Sequence, residues 1–236
     1  MEGSLIYDEN EIRRFITGVI KPLEDDEVYI LLLAARKKYS ADVSASQEVV
    51  HRDIIRDSDP NRMLRKIRRI TNVQGIYTNK NTNQEMDPEA FVLYVLADPR
   101  SMIKGYTEFV SAIEKWQYDS LKGENKNLEY YRKLDVKLFG AIHRSRSRSH
   151  YFIVDIDKKD EAILEKVTDL LKGHIRWVSE THGGYHLIVD KNKNSGIIVY
   201  EKIRGMEYVE ILKDSMTPLP GTLQGGFGVK GIYKRD

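Results

Sequence analysis

The chain contains no cysteine in its 236 residues. Disulfide bonds and cysteine-ligated zinc sites are therefore excluded, and a cytoplasmic location is expected. Glycine and proline are also sparse, with 16 and 6 residues, whereas hydrophobic residues make up 41% of the chain. This balance predicts a folded domain and not a disordered polymer.

Long apolar runs are missing as well. The longest, residues 28–35, is much shorter than the roughly 20 residues that a membrane-spanning helix requires. The first residues lack the basic and apolar segments of a signal peptide, so no membrane contact is expected. A large excess of one charge is absent too, because 38 basic and 36 acidic side chains leave a net charge of +2. Any binding of nucleic acid must then depend on local basic clusters.

Two such clusters are present. Residues 62–69 interleave basic and apolar side chains, which predicts an amphipathic helix with a positive face. Residues 143–150 alternate arginine with serine, so an extended backbone would place Arg144, Arg146 and Arg148 on one face. Both clusters have the chemistry to contact phosphates. The alternatives are an ordinary surface helix and a solvated loop.

A pair of carboxylates is the most informative feature. Asp155 and Asp157 follow the apolar residues 151–154. Residues i and i+2 of a strand share a face, so both carboxylates would point the same way. Neighbouring like charges are costly unless a cation joins them, and oxygen ligands suit Mg²⁺ or Mn²⁺. The alternative is an acidic strand end that runs into a turn.

The sequence after this pair predicts a β-α-β-β-α-β order. Apolar residues recur at helical spacing over 160–171. Two strand-like runs, 174–180 and 185–190, flank a glycine-containing turn. A helix over 195–203 and a strand over 207–212 complete the order. It is typical of a ferredoxin-like or RRM-like sheet, with helices on one face and the other face open.

His186 is placed on the open face with the two carboxylates. Its neighbours Tyr185, Leu187 and Val189 alternate to the opposite face, where their apolar character suits contact with the helices. The histidine also follows a glycine pair, where a backbone can approach a phosphate closely.

These residues resemble the motifs of one family, the archaeo-eukaryotic primase superfamily. Asp155-Ile-Asp157 is similar to its first motif, and Gly184-Tyr-His186 is similar to its second, a small residue, any residue and then histidine. The third motif is a hydrophobic residue followed by an acid, for which Glu210 is the best match.

The resemblance covers residues 149–230, including the segment 217–227, which is similar to a proline- and glycine-containing stretch that follows the third motif. Asp214 is the alternative third acid. Two departures are visible: the third acid is glutamate in place of the usual aspartate, and the zinc-binding cysteines of many members are absent.

The resemblance implies a mechanism. Members form phosphodiester bonds from nucleoside triphosphates, so Asp155, Asp157 and Glu210 would hold two divalent cations, Mg²⁺ or Mn²⁺. His186 and Gly184 would contact the triphosphate. A basic residue should neutralise further charge, and the candidates are Arg148, which we include in the nucleotide site, and Lys158, Lys213 and Lys230.

The N-terminal half is predicted to be mixed α/β. Helices are expected over 10–20 and 100–121 and a strand over 72–77, whereas the segments 27–35 and 88–96 fit either a helix or a strand. The polar residues 123–127 predict a boundary. The predicted fold is thus α/β (α+β): an N-terminal α/β module, residues 1–125, packed against an RRM-like catalytic module, residues 126–236, with a cleft between them.

We therefore predict a template-dependent nucleotidyltransferase of the primase or primase-polymerase type. Its expected partners are nucleoside triphosphates, a single-stranded DNA template and other replication proteins. One alternative is a catalytically inactive replication subunit that binds nucleic acid. Another is an RRM-type RNA-binding protein, which should present stacking aromatic side chains on the face that here carries Asp155, Asp157 and His186. The choice between dNTP and NTP, and between de novo priming and primer extension, stays open.

Overall fold

The computed structural model describes residues 4–71, 78, 83, 85–123, 129–212, 214 and 216–232. The helices are α1 (Glu9–Val19), α2 (Pro60–Thr71), α3 (Met102–Leu121), α4 (Glu129–Arg132), α5 (Leu134–Arg144), α6 (Glu161–Leu170) and α7 (Lys193–Ile198), with a 3-10 turn at Pro88–Ala90 and a π-helical turn at Val199–Ile203. The strands are β1 (Glu27–Arg36), β2 (Gln47–Ile55), β3 (Phe91–Leu96), β4 (Arg100–Ser101), β5 (Tyr151–Ile156), β6 (Ile175–Glu180), β7 (Tyr185–Asp190), β8 (Val209–Leu212), β9 (Met216–Pro218), β10 (Leu223–Gln224), β11 (Phe227–Gly228) and β12 (Lys230–Gly231).

The strands form two antiparallel sheets, so the protein is of mixed α/β class. In the first sheet the order is β11-β10-β3-β1-β2, with β4 paired to β1 and β9 paired to β3. In the second sheet the order is β12-β6-β7-β5-β8. The first sheet therefore takes strands from both halves of the chain, because β9, β10 and β11 return to it after β5 to β8 of the second sheet, and β12 then returns to the second sheet.

The centre of the first sheet is buried on both faces. Alternate residues of β1 enter two different apolar clusters: Tyr29 and Leu31 join one with α1 and α2, and Ile30 and Leu32 join another that includes Ile142 of α5. A strand covered on both sides needs apolar residues at every position. This explains why the segment 27–35, which is a strand, shows no period of two that would distinguish it from a helix.

In the second sheet, successive side chains alternate between the helix-covered face and the opposite face, as predicted. Val154, Leu187 and Val189 pack with α6 and the π-helical turn, while Asp155 and His186 lie on the opposite face. The expectation that this opposite face is open is wrong over much of its area. Tyr151, Ile153 and Ile188 there are buried in the same core as α1 and β1, because the first sheet and α1 cover them.

Contacts from α1 join the two sheets. The rings of Phe15 and Trp177 meet edge to face with centroids 5.4 Å apart, and the Tyr151 hydroxyl donates to the Val19 carbonyl at 2.5 Å. Such aromatic pairs stabilise a fold beyond their buried area. One apolar core therefore connects the sheets and fixes the space between their ends, where the candidate site lies.

Most predicted elements of the second half match the structure. The strand over 185–190 has the predicted bounds, and the helix over 160–171 is observed as α6. Asp160 caps α6 by accepting from the backbone N–H groups of Ala162 and Ile163, as expected of an aspartate at that position. The strand predicted over 72–77 and the boundary predicted at residue 125 lie outside the described residues. No helix among the described residues is both long and apolar enough to cross a membrane.

Candidate active site

A row of polar side chains crosses three strands of the second sheet. Asp155 on β5 lies opposite Glu210 on β8 and opposite His186 on β7. Directly opposed residues of antiparallel strands share a face, with Cβ atoms about 4.5–5.5 Å apart. The sequence of strands therefore brings together two of the three predicted acids and the predicted histidine. Asp157 follows the end of β5, where its backbone N–H donates to the Tyr208 carbonyl at 2.9 Å.

His186 is held between the two sheets. Its Nε2 lies 3.0 Å from Oδ1 of Asp155, and its Nδ1 lies 3.3 Å from the Thr217 hydroxyl on β9. The residue is only 9% exposed, so these two partners fix the orientation of the ring. The histidine thus lies beside the carboxylates, as predicted, and is supported by a residue that sequence reasoning did not assign to the site.

These residues line a cavity of about 310 Å³ between the sheets, which we call the carboxylate cavity. The second sheet contributes Asp155, Asp157, His186 and Glu210, with Thr181, Gly183 and Gly184 from the turn between β6 and β7. The first sheet contributes two cationic residues, Arg36 and Lys38, next to Tyr94, Pro218 and Gln224. Four groups able to bind cations or protons therefore face two groups able to bind anions.

The two cationic residues were not identified from the sequence. Arg36 ends β1, and its Nη1 donates to the Tyr94 hydroxyl at 2.7 Å. Desolvation lowers the pKa of Lys38, and the nearby Arg36 lowers it further, while Asp155 and Asp157 oppose the change. The signal that could have found them is a basic cluster, residues 36–38, directly after a buried strand. Because Arg36 and Lys38 are far from Asp155 along the chain, the sequence did not indicate that they line the same cavity.

The carboxylates of the cavity make few ion pairs with other described residues. Asp155 contacts His186, and no ion pair joins Asp157 or Glu210 to another described residue. In the described part of the chain, no three acidic or histidine side chains already stand in an arrangement that would hold a metal ion. The donor chemistry nevertheless suits a hard divalent cation, because carboxylate oxygens are its usual ligands.

Gly184 is explained by backbone packing. A Cβ atom at this position would lie 1.8 Å from the Ile156 carbonyl oxygen and 2.7 Å from the Lys158 nitrogen. The turn therefore presses against the chain segment that carries Asp157, and only glycine permits that approach. At Gly183 a Cβ atom would meet nothing within 4 Å. Both glycines line the carboxylate cavity, so the backbone there is accessible.

Arg148 does not reach the cavity. Its Nε donates to Glu27 at 2.8 Å, its Nη2 donates to the Pro22 carbonyl at 2.8 Å, and its Nη1 lies 3.2 Å from Glu24. Glu27 begins β1 whereas Arg36 ends it, so Arg148 lies at the opposite end of the strand. Arg36 and Lys38 are the basic residues that line the cavity where Arg148 was expected.

The other basic candidates also lie elsewhere. Lys158 pairs with Asp160 at 3.0 Å, and Lys230 pairs with Glu180 at 2.9 Å. Lys213 is outside the described residues. Each observed lysine is engaged with a neighbouring acid of the second sheet or its connections, which explains why it is not directed at the carboxylates.

The arginine–serine run is not an extended phosphate-binding face. Arg144 belongs to α5 and pairs with Glu108 at 2.5 Å, and Arg146 lies 3.5 Å from Asp214. The alternative third acid, Asp214, also pairs with Arg100. Asp214 is therefore engaged in a separate arginine cluster, and Glu210 is the acid that the fold aligns with Asp155.

Comparison of the chain with protein-family models, with curated proteins and with solved structures gave no match.

Proposed function

We propose that the protein is a template-dependent nucleotidyltransferase of the primase or primase-polymerase type, which adds nucleotides to a 3′-hydroxyl. One observation supports this most: Glu210, Asp155 and His186 form a row, with Asp157 beside it, that faces Arg36 and Lys38 across one cavity. Phosphoryl transfer needs both chemistries, because cations must be held near the reacting oxygens and the phosphate charge must be neutralised.

The order of elements from β5 to β8 adds support for an RRM-like, or ferredoxin-like, module. It is β-α-β-β-α-β, and within the module β5 and β7 are central while β6 and β8 flank them. The helices cover one face. The polar row lies on the other face at the end of the sheet, where it lines the carboxylate cavity.

The acids fit a divalent cation by chemistry, and Mg²⁺ or Mn²⁺ would be held by Asp155, Asp157 and Glu210. When bound, such cations lower the pKa of an attacking hydroxyl and stabilise charge on the transferring phosphate. Asp155 would bind through the oxygen that does not contact His186. Asp157 and Glu210 would turn their exposed side chains toward it.

The remaining residues would bind and orient the nucleotide. Arg36 and Lys38 supply positive charge for the triphosphate, and the lowered pKa of Lys38 reflects a desolvated ammonium group that an anion would stabilise. His186 is oriented by Asp155 and Thr217. The open space at Gly183 leaves the backbone of the turn free to approach a phosphate.

The proposal is tested by replacing both aspartates. Asp155→Ala with Asp157→Ala should reduce nucleotide incorporation by about 10³-fold or more, since both groups act on the reacting phosphate. The assay uses primed and unprimed single-stranded templates with dNTPs or NTPs and either metal. Glu165→Ala with Asp169→Ala, two exposed acids of α6, is the matched control. Absence of incorporation by the unmodified protein under every condition would refute the enzymatic proposal.

A second candidate function, binding of nucleic acid without catalysis, is favoured by a basic groove. This groove of about 490 Å³ lies between the end of β2 and α2 and is lined by Ile55, Arg56, Asp57, Arg62, Arg65, Lys66 and Arg69. Asp57 pairs with Arg62 at 2.5 Å, and Asp53 pairs with Lys66 at 3.0 Å and with Arg69 at 2.8 Å. Among the described residues no ion pair involves Arg56 or Arg65.

Those two arginines therefore provide the test. Arg56→Glu with Arg65→Glu should weaken binding of single-stranded DNA and reduce the dependence of log K on log salt by about two units. Lys172→Glu with Lys202→Glu, on the second half of the chain, is a control with the same change of charge. A protein that binds DNA through this groove and never incorporates nucleotides would be a noncatalytic subunit.

A further inference from the structure

A second pocket adjoins the carboxylate cavity. It has a volume of about 290 Å³ and lies between β1, β2 and α5. Its walls are mainly apolar, with Leu32, Val49, Val136 and Phe139, and polar groups come from Arg52 and His143. A pocket with apolar walls and a few converging polar groups is typical of a small-molecule site. We call it the apolar pocket.

Two residues show that the apolar pocket and the carboxylate cavity are neighbours. Met216 on β9 lines both. Gln47, which lines the apolar pocket, lies directly opposite Arg36, which lines the carboxylate cavity, in the pairing of β1 with β2. The two sites therefore adjoin at Met216 and at the Arg36–Gln47 pair.

The chemistry of the apolar pocket suits a planar heteroaromatic ring. Phe139 offers a ring for stacking, and the Arg52 guanidinium lies 5.7 Å from its centroid, so a flat cation and an aromatic face are presented together. Burial lowers the pKa of His143, although Asp214 opposes this, which favours a neutral imidazole that can both donate and accept hydrogen bonds.

We propose that the apolar pocket binds the base of the nucleotide whose triphosphate lies in the carboxylate cavity. A nucleoside triphosphate joins a stacking ring to a chain of negative charge, and the two adjoining sites present the matching surfaces in that order. This inference rests on the proposed function, because it assumes that Arg36 and Lys38 receive the triphosphate.

The experiment compares two ligands that share only the phosphates. Nonhydrolysable nucleoside triphosphates with each of the four bases, and inorganic tripolyphosphate, are titrated into the full chain with Mn²⁺ and followed by calorimetry. Phe139→Leu keeps an apolar side chain but removes the ring, and Phe139→Trp keeps a ring. Base stacking on an aromatic side chain predicts that Phe139→Leu weakens nucleotide binding about 5- to 150-fold. Phe139→Trp should retain it, and neither variant should change the affinity for tripolyphosphate.

Further variants separate binding from folding. Val136 is 38% exposed at the pocket edge, so Val136→Trp should fill the pocket with little effect on the core and weaken nucleotide binding in the same way. Lys137→Ala, on the same helix but outside the pocket lining, should have no effect. Thermal unfolding of each variant is recorded in parallel.

The outcomes distinguish the two proposals. If the unmodified protein binds nucleotides and Phe139→Leu and Val136→Trp bind them equally well, or if tripolyphosphate weakens to the same extent, the base site is wrong while the triphosphate site stands. If the unmodified protein binds neither ligand, the proposed function fails and the base site fails with it. Loss of nucleotide affinity alone supports the base site.

Discussion

Asp98 and Asp155 are both aspartates associated with a buried strand, but their surroundings balance the negative charge in different ways. Asp98 is fully buried, accepts from the His150 backbone N–H at 2.8 Å, and lies 3.7 Å from Arg146. Asp155 is half-buried, contacts His186, and has a second acid, Glu210, directly opposite. Positive charge surrounds the first aspartate, and negative charge accumulates at the second.

The difference separates a structural cluster from a candidate reactive one. Near Asp98 the fold supplies its own cations, since Arg146 lies 3.7 Å from it and Arg100 also interacts with it electrostatically. Near Asp155 the cations are on the opposite wall of a cavity. Neighbouring acids without a balancing cation cost stability. A cluster of acids in a cavity is therefore expected where a cation from outside the protein balances their negative charge.

The largest expected effect is on the structural cluster. Arg100 is 2% exposed and pairs with the partly exposed Asp214. Arg100→Met should lower the free energy of unfolding by about 3–5 kcal/mol, because it removes a buried cation that interacts with Asp214 and with the fully buried Asp98 and leaves Arg146 as their remaining arginine. Arg144→Met, which breaks an exposed pair with Glu108, should cost about 0–1 kcal/mol. Urea unfolding measures both. Equal losses in the two variants would show that the buried Arg100 pair stabilises the fold no more than an exposed ion pair does.

The next effect concerns the turn beneath the carboxylates. Gly184→Ala would drive a Cβ atom into the backbone at Ile156, so it should destabilise the fold by about 3 kcal/mol. Gly183→Ala adds the same methyl group into open space and should change stability by no more than about 1 kcal/mol. Thermal unfolding of this matched pair measures the difference, and similar melting temperatures would show that the turn does not press against the backbone at Ile156.

A smaller effect is the pH-dependent contribution of Glu27 to the free energy of unfolding. Burial alone would raise the pKa of Glu27, but hydrogen bonds from Arg148 and from the Glu24 backbone N–H outweigh it and lower the pKa to about 2. A carboxylate with a lowered folded pKa stabilises the fold above its ordinary pKa near 4.5, and this contribution is lost as the pH falls toward 2.

Glu27→Gln should therefore cost about 2 kcal/mol at pH 7, a value reduced for the partial exposure of Arg148, and much less at pH 3. Urea unfolding at both pH values measures the difference. Arg148→Met should show the same loss at pH 7 and leave nucleotide binding unchanged. A strong loss of nucleotide affinity in Arg148→Met would restore the role that the sequence predicted for Arg148.

Sequence patterns located one half of the molecule better than the other for a physical reason. In the strand 185–190, Tyr185, Leu187 and Val189 face the helices, and the opposite face carries the polar His186 and Asp190 on either side of the buried Ile188. These two polar residues make the alternation and the bounds visible, although both faces are largely buried. In β1 both faces are buried, and the alternation disappears. Tertiary packing decides whether such a segment forms a strand or a helix, and a local sequence pattern carries no information about that packing.

The same physical reason explains which residues of the candidate site the sequence predicted and which it did not. Asp155, Asp157, His186 and Glu210 lie on elements that follow one another, so local alternation predicts that they share a face. Arg36 and Lys38 come from the other sheet and meet the acids only because the two sheets share a core. Arg148 is near Asp155 in sequence, but Glu27 and Glu24 engage it at the far end of β1.

The smallest effect is a gain in stability. Glu210 lies directly opposite Asp155 in the pairing of β8 with β5, and like charges at such positions are destabilising by about 0.2–1 kcal/mol. Glu210→Gln should therefore raise the free energy of unfolding by that amount at low salt, and added salt should reduce the gain because it screens exposed charges. Glu165→Gln, an exposed acid on α6, is the control.

Addition of Mn²⁺ should reverse the order of stability of the two proteins. The unmodified protein gains stability by binding the ion, whereas Glu210→Gln, with one ligand fewer, gains less. A Glu210→Gln protein that is less stable without metal would show that Glu210 supports the fold and is not a strained carboxylate held for a cation.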